Sequence, residues 1–175
     1  LLCDLENKKN AHFKILANIA QPHIRKNLPA LLEAYGKAFT QKDDVCLILK
    51  VVDKVPTVKC EVSFSKIYSQ FKNKYKNHAQ CLFIKSFIPN IENLYASVDC
   101  VFTMTHAEAF YLPGLEGLAS GKIIISPKYG GQLDFLSDQN SLLVTGKKIR
   151  APAEALYWSD TVHSEMFNPD INDAV

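Results

Sequence analysis

The segment that most restricts the fold of this 175-residue chain runs from residue 99 to residue 126. It opens on D-C-V-F-T-M-T (99–105), which reads as a buried strand, and closes on K-I-I-I-S (122–126), which reads as another. Between them stands E-A-F-Y-L-P-G-L-E-G-L-A-S-G (108–121). Pro113 suits the first turn of a helix, where its missing N–H would have no partner anyway. Gly121 suits the left-handed cap that ends a helix. Strand, loop, helix, strand is a βαβ unit, so the chain should carry a parallel sheet. Its two acids, Glu108 and Glu116, are eight positions apart. Glu108 falls in the loop at the carboxyl end of the first strand, where open α/β sheets bind ligands. Glu116 falls about one turn into the helix, among Leu112, Ala119 and Ser120, on what reads as the packing side. A carboxylate there is costly without partners. It is either a ligand-binding group or a structural acid held by a backbone amide or a lysine.

The rest of the chain fits an α/β domain. Strands are expected at 13–19, 45–52, 80–84 and 141–145, and helices at 28–39, 65–78, 90–98 and 132–136. The run V-C-L-I-L-K-V-V at 45–52 is nearly continuous in apolar residues, as parallel strands buried on both faces are. The loop at 20–27 carries Arg25 and Lys26, which on their own read as a solvated pair at a helix start. Gly130 and Gly131 either let the backbone approach a ligand closely or form an ordinary tight turn. His106, beside the acids, is of a type that bonds phosphate or donates a proton. The helix at 65–78 sets Ile67, Phe71 and Tyr75 on one stripe and Lys66, Lys72, Lys74 and Lys76 around the rest. That describes a surface helix packed by its aromatics, or one touching an anionic membrane surface. Beyond residue 146 the signals weaken: 153–158 has a helical pattern, and Asn168-Pro169-Asp170 reads as a helix start.

Composition excludes several classes. A net charge of +2 does not suggest a nucleic-acid binder. None of the five cysteines forms a C-x-x-C pair, and Cys46, Cys81 and Cys100 lie in strand-like runs, so a reducing, cytoplasmic setting is expected. Neither an Asp-x-Asp triplet nor a His/Asp cluster of ligand spacing is present, so no metal or other cofactor is expected. Because no G-x-G-x-x-G follows the first strand, a nicotinamide-dependent enzyme lacks support. No apolar run reaches the roughly 18 residues of a membrane span.

The segment E-A-F-Y-L-P-G-L-E resembles the E-x7-E motif of retaining glycosyltransferases with the GT-B fold, family 4 in particular. It keeps both acids with Phe110, Leu112, Pro113 and Leu115, and Ala119 and Gly121 follow in step. Three other segments match in order: I-R-K-N-L-P-A-L-L-E-A-Y (24–35), F-I-P-N-I-E-N-L-Y-A-S-V-D-C-V-F (87–102) and Y-G-G-Q-L-D-F-L (129–136). The resemblance covers about residues 13 to 145. It implies a Rossmann-like, three-layer α/β domain with a mostly parallel six-stranded sheet, the C-terminal, donor-binding half of a GT-B fold. Residues 1–12 would be the end of an interdomain linker, 13–150 the nucleotide-sugar-binding domain, and 151–175 a tail leading to crossover helices. It further implies that Glu108 faces the donor sugar as the catalytic acid and that Lys26 neutralises the diphosphate. The amides of Ala109, Phe110 and Tyr111, with Leu112 at the helix start, would lie beside sugar and diphosphate. Glu116 would take the ribose hydroxyls, and Gly130 and Gly131 would complete the donor site. An N-terminal acceptor-binding domain would face this one. Two departures stand out. The family's Gly-Arg pair before the lysine is Ile19-Ala20 here, so either a phosphate partner is missing or Arg25 or another basic residue substitutes. The glycines flanking Phe110 are replaced by Ala109 and Tyr111, which puts a ring where the family keeps space. A non-catalytic nucleotide- or partner-binding subunit, or an epimerase sharing the donor site, are the alternatives.

Overall fold

In the computed structural model, residues 11–20, 23–51, 63–152 and 164–175 are described. The linker reading of residues 1–10, Cys3, Cys60 and the helical pattern at 153–158 fall outside them. Six strands form one sheet: β1 (Phe13–Ala20), β2 (Val45–Val51), β3 (Gln80–Ile84), β4 (Cys100–Phe102), β5 (Ile123–Pro127) and β6 (Leu142–Val144), in the order β3-β2-β1-β4-β5-β6. Every pairing within it is parallel. Among the described residues, four α-helices connect and cover it: α1 (Leu28–Ala38), α2 (Phe64–Lys74), α3 (Ile91–Ala96) and α4 (Leu112–Ala119).

Alternation along the strands builds a core on each face. Ile15, Ala17 and Ile19 of β1 join Leu47, Leu49 and Val51 of β2 under Leu31, Leu32 and Tyr35 of α1 and Ile67 and Phe71 of α2. Leu16, Ile48, Val101 and Ile124 face the other way, under Leu94 and Tyr95 of α3 and the ring of Tyr111. Helices on both faces of a parallel sheet make the Rossmann-like three-layer architecture. Cys46, Cys81 and Cys100 are free thiols on β2, β3 and β4, and burial pushes them up to about 11, 12 and 12 respectively.

Four elements differ from expectation. The strand expected at 99–105 pairs only over Cys100–Phe102. Beyond it the chain turns toward the β1 loop, where Asn27 Nδ2 donates to Met104 O and the Thr105 hydroxyl to Arg25 O. The helix expected at 65–78 ends at Lys74. The next residues are drawn into pairing with the end of α1: Gln41 N donates to Asn77 O, and Ala79 N to Phe39 O. Residues 132–136 form no α-helix but a 3-10 turn over Gly131–Asp134. The helix start expected at Asn168-Pro169 is instead the end of a strand. β7 (Gly146–Arg150) and β8 (Glu165–Pro169) pair antiparallel in a ribbon outside the main sheet. This pairing of two separate segments has no local signal in G-K-K-I-R or E-M-F-N-P.

Candidate functional site at the sheet switch point

The strand order reverses between β1 and β4, so their neighbouring C-terminal ends diverge into loops that leave a crevice. The β1 loop ends in a 3-10 turn, Ile24–Lys26. His23 Nδ1 caps it by accepting from Arg25 N at 3.1 Å. Asn27 closes it in the left-handed region (φ 48), which asparagine tolerates better than most residues. The turn presents Arg25 and Lys26 side by side. From the β4 loop Glu108 reaches between them, with Oε2 2.8 Å from Arg25 Nη1 and Oε1 2.5 Å from Lys26 Nζ. The Glu108 side chain is only 9% exposed. Arg25 also donates to Ala107 O, and His106 N donates to Arg25 O at 2.8 Å. Burial and the two neighbouring cations hold the His23 imidazole below its usual pKa.

Glu108 thus meets both cations singled out in the sequence, from a loop 82 residues away. Ala109 and Phe110 follow it at the surface, and among the described residues the amides of Ala109, Phe110 and Tyr111 donate to no backbone carbonyl. Tyr111 caps α4 in the left-handed region, φ 68, which is uncommon for a residue other than glycine. Its ring turns inward and is buried, and Gly114 leaves the room, since a Cβ there would lie 2.4 Å from the ring. The ring therefore sits in the core rather than in the crevice. Leu112 is 59% exposed at the helix start.

The packing side of α4 runs through Gly114 and Gly117, not through Leu112 and Ala119 as the sequence suggested. Glu116 is half-buried at the edge of that face, where its Oε2 accepts from the Tyr95 hydroxyl at 2.7 Å. Its partner is thus a phenol on α3, neither an amide nor a lysine. Burial and the Glu116 carboxylate both push the Tyr95 hydroxyl up. Gly130 and Gly131 lie against the acid loop itself: Gly131 N donates to Glu108 O at 3.0 Å, and a Cβ on Gly131 would fall 1.7 Å from Ala109 O. His106 points away from the acids, its Nδ1 2.7 Å from Phe167 O. Sequence reasoning missed Tyr95, Thr105 and the cap residues His23 and Asn27. Only Asn27, a left-handed former directly after R-K, carried a readable signal.

The model of the family described as glycosyl transferases group 1 matches residues 5–158. The chain belongs to the group 1 glycosyltransferases. No curated protein matches it. Among solved structures it is similar to Anabaena HepE in complex with UDP-glucose, at 19% identity and a TM-score of 0.63, covering 87% of this chain and 39% of HepE. WaaG, a glycosyltransferase involved in lipopolysaccharide biosynthesis, matches at 14% identity and 0.61, over 82% and 36%. Trehalose-6-phosphate synthase OtsA matches at 12% and 0.57, over 76% and 33%. At these identities the likeness is one of fold, and the fold is that of GT-B glycosyltransferases. This group 1 chain spans about two fifths of the length of HepE.

Proposed function

We propose that the chain is the donor-binding domain of a retaining, family 4-like glycosyltransferase, which moves a sugar from a nucleotide-diphosphate donor to an acceptor. The observation that carries this reading is the convergence of Arg25, Lys26 and Glu108 at the switch point, beside the start of α4. Arg25 and Lys26 would hold the donor diphosphate, Arg25 standing in for the arginine absent at Ile19-Ala20. The amides of Ala109, Phe110 and Tyr111 and the positive end of α4 add to the same anion site. As the sugar–phosphate bond breaks, charge grows on the departing diphosphate, and fixed cations lower that barrier. Glu108 would accept hydrogen bonds from the donor sugar. Glu116, oriented by Tyr95, would accept from the ribose hydroxyls. Gly130 and Gly131 would serve the donor by letting the Glu108 loop settle. No metal enters this scheme. The acceptor site would belong to a facing domain outside the 175 residues, so this chain alone should bind donor without transferring sugar.

A cytosolic setting fits the free thiols of Cys46, Cys81 and Cys100, and the exposed Lys66 and Lys72 of α2 would permit contact with an anionic membrane face. No described helix is long and apolar enough to cross a membrane. One observation favours a non-catalytic nucleotide- or partner-binding subunit instead: Glu108 already occupies both cations. Calorimetric titration with UDP, GDP and ADP separates a nucleotide site from a partner-binding surface. Binding of one diphosphate, weakened in Lys26→Ala and Glu116→Ala, is expected; no binding by the folded chain would leave only the partner-binding reading.

A further inference from the structure

We propose that strand β8 positions the Glu108 loop, with Phe167 and His106 as its positioning residues. β8 lies outside the main sheet, yet it touches each of the three loops that line the crevice. Its Met166 joins Ala151 in a small buried cluster with Ile24, next to Arg25. The Phe167 ring stacks on Tyr129, after β5, with centroids 5.1 Å apart and planes 7° from parallel. The Phe167 backbone grips His106 on the β4 loop twice: Phe167 N donates to His106 O at 2.8 Å, and His106 Nδ1 lies 2.7 Å from Phe167 O. A carbonyl can only accept, so Nδ1 carries the hydrogen of that bond. His106 in turn donates its own N–H to Arg25 O, two residues before Glu108. The far end of β8 is pinned by Asp170 N on Thr145 O and by the Asp173 carboxylate on the Thr145 amide and hydroxyl. Anchored at one end, hydrogen-bonded to the β4 loop and packed against the other two, the strand sets how the amides of Ala109, Phe110 and Tyr111 stand relative to the Arg25–Lys26 turn. A site held this way keeps its geometry before any ligand arrives.

Only the ligand arm of the test rests on the donor-site reading. His106→Ala removes the ring bond to Phe167, whereas His106→Asn keeps a donor near the position of Nδ1. Amide exchange at Gly131, whose N–H is held by Glu108 O, reports the loop with or without ligand. In His106→Ala the Gly131 amide should exchange faster and the diphosphate Kd should rise, each by about tenfold, the worth of one net hydrogen bond. His106→Asn should stay within about twofold of the parent on both, and the Phe71 amide of α2 should not change in either variant. Unchanged exchange at Gly131 in His106→Ala would overturn the proposal, as would faster exchange with an unaltered Kd. Equal damage from both variants would also overturn it, showing bulk destabilisation. If the parent binds no diphosphate while Gly131 exchange still responds, the strut stands and the donor reading falls.

Discussion

Glu108 does two things that pull against each other. Its carboxylate satisfies two crowded cations in the ligand-free chain, and by doing so it occupies the place a phosphate would take. If the proposed donor site is right, a diphosphate would have to displace it, and apparent affinity would fall by the fraction of molecules in which the cations are already engaged. Glu108→Gln should therefore bind a nucleoside diphosphate without sugar several-fold more tightly than the parent. Its thermal stability without ligand should drop, because two neighbouring cations lose their shared counter-charge, at a cost of about 1–3 kcal/mol. Calorimetry with UDP, GDP and ADP, beside a melting curve with and without pyrophosphate, checks both halves. Weaker diphosphate binding in Glu108→Gln would mean that the acid recruits the ligand rather than competes with it. A second residue-scale effect concerns His23. Burial and the neighbouring Arg25 and Lys26 hold its folded pKa below that of a free imidazole, so the unfolded chain binds the extra proton more readily. The neutral ring's contribution is complete above about 6.5 and is lost as pH falls from there toward the folded value. Protonation also removes the Nδ1 lone pair that caps the Arg25 amide. Stability measured from pH 7.5 to 5 should decline more steeply in the parent than in His23→Asn, whose side chain can still cap without titrating in this range.

At the scale of elements, α4 shows how local and tertiary demands combine. Its end is a Schellman motif: Gly121 N donates to Leu118 O and Lys122 N to Gly117 O, with Gly121 at φ 69. A Cβ on Gly121 would meet nothing within 4 Å, so Gly121→Ala should cost only the left-handed strain, about 1–2 kcal/mol. Gly117 is the opposite case. A Cβ there would come within 2.7 Å of Val101 Cγ2 and 2.9 Å of Ile124 Cδ1. The helix would gain up to about 1 kcal/mol of propensity from alanine, yet overpacking against β4 and β5 costs about 1–3 kcal/mol. Urea unfolding should find both variants destabilised, and only Gly117→Ala should also disturb the amides of β4. The Gly121 cap and the first-turn proline were legible in the sequence because a single residue type answers a single backbone need. The six-stranded sheet was legible because buried parallel strands read as unbroken apolar runs. The ribbon was not, since Gly146–Arg150 and Glu165–Pro169 acquire strand character only from each other. Lys74 ends α2 for a similar reason, because the pairing of residues 77 and 79 with Phe39 and Gln41 is visible only in three dimensions. For the site, the two acids stood out by type and spacing, whereas Arg25 and Lys26 read alone as a solvated pair and gained a role only through the family resemblance. Their ion pairs, the inward Tyr111 ring and the Tyr95–Glu116 bond could not be read, because each depends on two elements meeting.

For the whole molecule, the sheet order places the candidate site on the strands that are hardest to open. β1 and β4 lie in the middle of the sheet with packed side chains on both faces, whereas β6 is an edge strand with Leu142 60% exposed. Openings that fray β6 need not separate the β1 and β4 loops; opening β1 from β4 must destroy the crevice. Ligand linkage then divides the amides into two classes. At a diphosphate concentration of about 100 times Kd, amides that exchange only when the crevice is lost should gain about 2.7 kcal/mol of protection. Leu16 of β1 and Val101 of β4, which are register partners, belong to that class. Leu142 and Leu143 of β6 should gain almost nothing, because their opening leaves the ligand bound. Native-state hydrogen exchange with and without the diphosphate measures both classes in one experiment. Uniform protection along the chain would show that the sheet opens only as a single unit. Protection confined to β6 would place the ligand away from the switch point, and with it the roles given to Arg25, Lys26 and Glu108.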